Sequence, residues 1–187
     1  MVPRFTVILT HQICMGTLVA QQNRINIGKG TEVTQIDRTD AQILAELQSD
    51  ARQTNRALAA GVGLAPSTTL DRVRSLEERG VITGYHATTD LKALGRPIQA
   101  MVAIRLRPKT AAIVDQVVEQ LWSLPETLSV FMLSGIDDVL IHLSVQDTDA
   151  LRHLVLDRIS SIEGVVDERT SLVFEHRRRT VIAPLEA

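Results

Sequence analysis

The chain has 187 residues, enough for one large domain or two small ones, with 44% hydrophobic and 22% charged residues, an ordinary globular composition. Aromatic residues at 3% argue against single-stranded nucleic acid recognition by stacking, and a single cysteine, Cys14, excludes an internal disulfide or a cysteine-rich zinc site. The formal net charge is -2, so any attraction for phosphate must come from local arginines and from repetition in an oligomer.

Residues 1–35 have no clean helical or strand period. Arg4 and the apolar Phe5-Thr6-Val7-Ile8-Leu9 imitate the start of a signal peptide, but His11-Gln12 interrupts the apolar run. The expected reading is a flexible or mis-started leader ending in Asn26-Ile27-Gly28-Lys29-Gly30. Order is expected from Ile36. Asp37 is a good N-cap, Asp40 falls in a first turn, and Ile43, Leu44 and Leu47 follow at helical spacing. Thr54 caps a second helix with Leu58, Ala59 and Val62 inward, and Gly63 permits the left-handed stop. Pro66 suits the first position of a third helix. There Leu70, Val73, Leu76 and Glu77 share one side, and Thr68, Asp71, Arg72 and Ser75 the other, flanked by Ser67 and Arg74.

Two short helices around a glycine turn, the second with a small-polar and arginine face, outline a helix-turn-helix that places one helix in the DNA major groove. Residues 81–87 are strand-like, as in a small wing, and 88–97 read as a connection between domains. The second half alternates strand, helix, strand, strand, helix, strand. Ala100 to Arg107 puts Val102, Ile104 and Leu106 on one face. Ala111 to Leu124 has a helical apolar stripe, and Leu128 to Leu133 is almost continuously apolar. Asp138 to Val145 alternates, Leu151 to Ile162 is amphipathic, and Val165 to Phe174 is a last strand. The expected fold class is therefore α+β: a winged helix-turn-helix at 36–97, with its linker, then a ferredoxin-like βαββαβ domain at 98–180. Two helices cover one face of such a sheet. Leu128 to Leu133, Leu140 and His142 leave apolar surface on the other, which implies packing on a second copy.

These residues resemble a family. Ile36-Asp37-Arg38-Thr39-Asp40, Gly63-Leu64-Ala65-Pro66-Ser67, Arg72-Val73-Arg74-Ser75-Leu76-Glu77 and Gly80-Val81-Ile82-Thr83-Gly84-Tyr85 are similar to the leucine-responsive / AsnC (Lrp/AsnC) family of bacterial and archaeal regulators. Leu91 and Gly95 fall where that family's linker has them, and Gly135-Ile136-Asp137-Asp138 resembles its Gly-x-x-Asp effector loop. The resemblance implies a transcriptional regulator that binds double-stranded DNA. It also implies dimers that assemble into tetramers or octamers, with an amino acid or related metabolite bound between subunits. Three features depart from the pattern: Ala65 stands where a capping Ser is usual, Asp71 is acidic where many relatives are basic, and the leader is long.

On this reading Ser67, Thr68, Asp71 and Arg72 face base edges and Arg74 reaches phosphate, since Arg pairs with guanine and Asp accepts from cytosine N4. The plain alternative is a solvated, mixed-charge helix face. Arg52 and Arg56 near the start of the second helix are candidate phosphate contacts, and Asn55 beside them is a further candidate DNA-binding residue. In Ser134-Gly135-Ile136-Asp137-Asp138 the backbone N–H groups are candidate holders of a ligand carboxylate, with an Asp for its amino group; the alternative is an ordinary hairpin turn. His11, His86, His142, His153 and His176 form no metal-ligand spacing, so neither metal, cofactor nor catalytic residue is expected. Arg177-Arg178-Arg179 reads as a solvated tail that also attracts DNA. The single cysteine fits the cytoplasm. Two other functions fit the same architecture: a haem-pathway decarboxylase, and a metabolite-binding module that does not regulate DNA.

Overall fold

A computed structural model describes residues 35–185 of the chain, so the leader reading lies outside the described residues. Three helices open it: α1 (Arg38–Ser49), α2 (Asn55–Val62) and α3 (Pro66–Glu78). Each begins where chain chemistry dictates. Asp37 accepts from the Asp40 N–H at 2.7 Å, and Thr54 accepts from the Ala57 N–H at 3.2 Å. Gly63 ends α2 at φ 72°, a left-handed conformation in which a side chain is strained. Ala65 precedes α3 with no side-chain cap. Ala65→Ser is therefore expected to raise stability by about 0.5–1 kcal/mol, read as a higher denaturation midpoint at unchanged slope. No gain would mean that the first-turn N–H groups are already well satisfied.

Ile43, Leu58 and Leu76 form the buried core of this three-helix unit, with Leu44, Leu47, Val62, Val73, Val81 and Ile82 partly buried around it. Two expectations are corrected. The inward residue of the first turns of α3 is Thr69, fully buried with its hydroxyl donating to Ala65 O at 3.1 Å. Leu70 is instead 37% exposed, at the rim of a groove with Tyr85. A buried threonine is tolerated because its hydroxyl bonds one turn back, which periodicity alone does not reveal. Residues 81–87 form no strand. The apolar Val81 and Ile82 close the helix core, and the Tyr85 hydroxyl donates to Glu77 at 2.9 Å, so side chains rather than a ladder fix this segment.

Residues 88–97 make a turn in which the Arg96 N–H donates to Leu91 O at 2.8 Å. The Arg96 guanidinium then donates to Pro125 O at 2.6 Å and to Ser144 O at 3.1 Å, fastening the linker to the sheet that follows.

The sheet is formed by β1 (Ile98–Leu106), β2 (Thr127–Met132), β3 (Val139–Val145) and β4 (Val165–Leu172), in the order β2-β3-β1-β4 and antiparallel throughout. α4 (Ala111–Trp122) connects β1 to β2. α5 (Thr148–His153), continued by a π-helical stretch (Leu154–Ile159), connects β3 to β4. This is the expected βαββαβ arrangement. The π-helical stretch was not legible from amphipathic spacing; it ends where the Ser160 N–H and hydroxyl both reach Val155 O, at 2.9 and 2.8 Å. Alternation in β1 and β3 buries Val102, Ile104, Leu106, Val139, Ile141 and Leu143 against Val117, Leu121, Leu154 and Ile159 of the helices. Gly164, at φ 97°, lets the chain enter β4 against α4: a Cβ there would sit 2.6 Å from Ile113 Cγ2.

The other face of the sheet carries Met101, Ala103, Leu140, His142, Ser129 and Phe131 in cross-strand register, and none of the described helices covers it. Phe131 is 47% exposed.

Candidate functional site

The residues expected to meet DNA divide into two groups. Ser67, Thr68, Asp71 and Arg74 lie on the exposed side of α3, and Arg52 and Arg56 are exposed near the start of α2. Among these six are three cations and one acid, so the surface is locally basic although the chain is not.

Arg72 and Asn55 are placed otherwise. Arg72 Nη1 lies 2.7 Å from Oδ2 of Asp37, the N-cap of α1, and 2.7 Å from Oδ1 of Asp40 in its first turn. Asp40 is 5% exposed, and Arg79 approaches its other oxygen at 3.4 Å. The Asp40 backbone N–H, with Arg72 second, holds the Asp37 carboxyl below the usual range, and the two carboxylates hold Arg72 firmly protonated. Arg72, expected at base edges, is in this structure engaged as a clamp between α1 and α3. The helical spacing was read without its partners, which lie 35 and 32 residues away. Asn55 Nδ2 donates to Pro66 O at 2.7 Å, joining the start of α2 to the start of α3. Both residues position the helix that carries the exposed set.

The second candidate site is the β2–β3 turn. The Leu133 N–H donates to Asp138 O at 2.8 Å and closes it. Asp138 is 5% exposed; it pairs with Lys109 and accepts from the Leu106 N–H at 2.8 Å. Lys109 first, and the Leu106 N–H second, hold its carboxyl below the usual range. Asp137 pairs with Arg169 on β4. Both carboxylates are thus matched by cations of the same chain, and Asp138 fastens β3 to the end of β1. Ser134, Gly135 and Ile136 remain exposed, Ile136 at 77%. Sequence reasoning missed Lys109 and Arg169; antiparallel pairing of β1 with both β3 and β4 is the signal that would have brought them near.

The described histidines form no cluster larger than a pair. His142 Nε2 is hydrogen-bonded to Gln99 Oε1 at 3.0 Å, and His153 pairs with Asp157 at 2.9 Å. No group of three or more metal-ligating side chains occurs among the described residues. Burial first, and the neighbouring His176 second, push the His142 pKa down. The folded protein therefore favours neutral His142, while the unfolded chain takes up the proton near pH 6.5. The stability this contributes is full above about pH 6.5 and is lost as pH falls through the folded value. Replacing His142 by Gln is expected to shrink the drop in melting temperature between about pH 7.5 and pH 5.5. An undiminished drop would assign it to other groups.

No helix among the described residues is long and apolar enough to cross a membrane. Residues 36–83 match the family model described as winged helix-turn-helix DNA-binding, and residues 99–181 match the Lrp/AsnC ligand binding domain. The HTH-type transcriptional regulator AldR of Mycobacterium tuberculosis is 37% identical over 150 residues, 80% of this chain and 84% of that protein. The leucine-responsive regulatory protein of Serratia marcescens is 34% identical over 153 residues, 82% of this chain and 93% of that protein. Among solved structures, a transcriptional regulator of Neisseria meningitidis in complex with L-Met superposes with a TM-score of 0.74. It is 33% identical, and the match covers 80% of this chain and 97% of that one.

Proposed function

The chain belongs to the Lrp/AsnC family of transcriptional regulators, and from that premise we propose how it acts: α3 enters the major groove of duplex DNA. Ser67, Thr68 and Asp71 meet base edges there. Arg74 meets phosphate, joined by Arg52 and Arg56 at the start of α2. Arg72 and Asn55 hold α3 in place and do not read bases. The observation that carries this reading is the division of α3. One side is spent on Asp37, Asp40 and the helix core, and the other presents small polar side chains and an arginine to solvent.

Two copies join through the uncovered sheet face, so that two α3 helices address two half-sites, and dimers assemble further into tetramers or octamers. The effector is an amino acid or a close relative. Its carboxylate is held by backbone N–H groups of Ser134 to Asp137 at a subunit boundary. Asp137 supplies the contact to the amino group only if the ligand displaces Arg169; Asp138 keeps the turn in shape. The site of action is the cytoplasm, where the chromosome lies.

A gel shift on the DNA upstream of the chain's own gene tests the reading. Arg74→Ala is expected to weaken binding of all sequences and to reduce the salt dependence, whereas Thr68→Ala relaxes the choice of sequence. A parent protein that binds no DNA at low salt overturns it. That outcome leaves the metabolite-binding module as the better account, whereas equal binding by parent and Arg74→Ala removes Arg74 from the contact.

A further inference from the structure

The segment after β4 leaves the sheet and returns to α1. The Val173 N–H donates to Gln99 O at 2.9 Å, so the chain departs still paired to β1. The His176 ring then meets the His142 ring edge-on, with centroids 5.6 Å apart and planes at 82°. His142 lies on the uncovered face of the sheet, beside Gln99. Further on, Ile182 reaches α1. Gln48 Nε2 donates to Ile182 O at 3.0 Å, and the Ile182 N–H donates to Gln48 Oε1 at 2.9 Å. The primary amide of Gln48 takes the place that a neighbouring strand would occupy.

Little apolar burial supports this clip. Ile182 is 66% exposed and Val181 40%, while Phe174 and Leu185 are almost fully exposed. The segment is attached by polar contacts at two points, one on the sheet and one on α1. The opposite end of α1 bears Asp37 and Asp40, the residues that grip Arg72 of α3.

We propose that residues 173–182 are a strap that carries the state of the uncovered sheet face, through α1, to the DNA-reading helix. The strap rests on the regulator reading for its purpose, but not for its mechanics. A partner packing on the sheet changes the surroundings of His142 and His176, the point where the strap crosses that face. A clip of two exposed hydrogen bonds is strong enough to orient a helix and weak enough to open. Such a marginal contact is what a two-state coupling needs, because an element shifts only if its attachment differs between the states. Arg96 fastens the linker to the sheet at a separate place, the carbonyls of Pro125 and Ser144.

Amide hydrogen exchange on the full chain, without DNA or effector, tests the strap. Gln48→Ala is expected to speed exchange in α1 and α3 by roughly fivefold, because it removes two exposed hydrogen bonds that water largely replaces. His176→Ala, at the other end of the strap, is expected to speed the same amides. The double variant should exchange no faster than either single one, because both changes cut the same tie. Unchanged α1 exchange in His176→Ala, or effects that multiply in the double variant, overturns the proposal. Such a failure leaves the gel-shift result standing, and failure of the gel shift leaves the mechanical result standing, so the two ideas fail separately.

Discussion

Leu140→Asp is expected to be a folded monomer that binds a duplex carrying two half-sites at least about a hundredfold more weakly than the parent. Leu140 sits in a central strand, opposite Ala103 of β1 and Phe131 of β2, on the face that none of the described helices covers. In a single copy that face is in contact with water, so a carboxylate there costs little. Pressed against a second copy, the same carboxylate loses its hydration without gaining a cation. Joining two DNA-reading units converts the second binding event into an intramolecular one, a gain of about 10² to 10⁴ that the monomer forfeits. With a net charge of -2, each copy has little general electrostatic attraction to fall back on. Sedimentation of the variant, together with its binding curve, decides the matter. A surviving dimer, or a monomer with parental affinity, would sink this account of the sheet.

The second large effect is on folding. Leu76→Ala should destabilise the three-helix unit by about 3 kcal/mol, through lost burial and the cavity left behind. Leu76 is fully buried, and the core it shares contains only two other buried large residues, Ile43 and Leu58. A unit of that size has little stability to spare. The sheet half has its own, much larger core, so it should hardly notice. The chain provides separate reporters: its single Trp, Trp122, ends α4, and its single Tyr, Tyr85, touches Glu77 of α3. The Tyr85 transition in urea should move to lower concentration while the Trp122 transition stays. If both move equally, the halves unfold as one cooperative block.

Much of this architecture was legible because periodicity and caps are local. Asp37, Thr54, Gly63 and Pro66 mark helix ends wherever the rest of the chain goes. Alternation in β1 and β3 likewise states which face is buried. The polar residues that pattern alone leaves without partners share one cause, which is that a group distant in sequence stands beside them. Arg72 has the spacing of a base-facing residue until two carboxylates of α1 are brought beside it. Asp137 and Asp138 look like free anions until Arg169 arrives from β4 and Lys109 from the loop after β1. Leu70 is a different, local case: Thr69 takes the inward place beside it, because a hydroxyl that bonds one turn back is cheap to bury. The bidentate clip between Gln48 and Ile182 spans 134 residues, and no pattern in either segment announces it.

The clamp on Arg72 has a further consequence, for engineering. On the proposed reading, structural duty and sequence reading fall on different residues of α3, so the two can be altered independently. Positions 67, 68, 71 and 74 can be randomised together as a small library, with Asp37, Asp40, Thr69, Arg72 and Leu76 left alone. Most members should fold, and their operators should differ. A protein built in this way keeps its architecture while its target drifts, one surface side chain at a time.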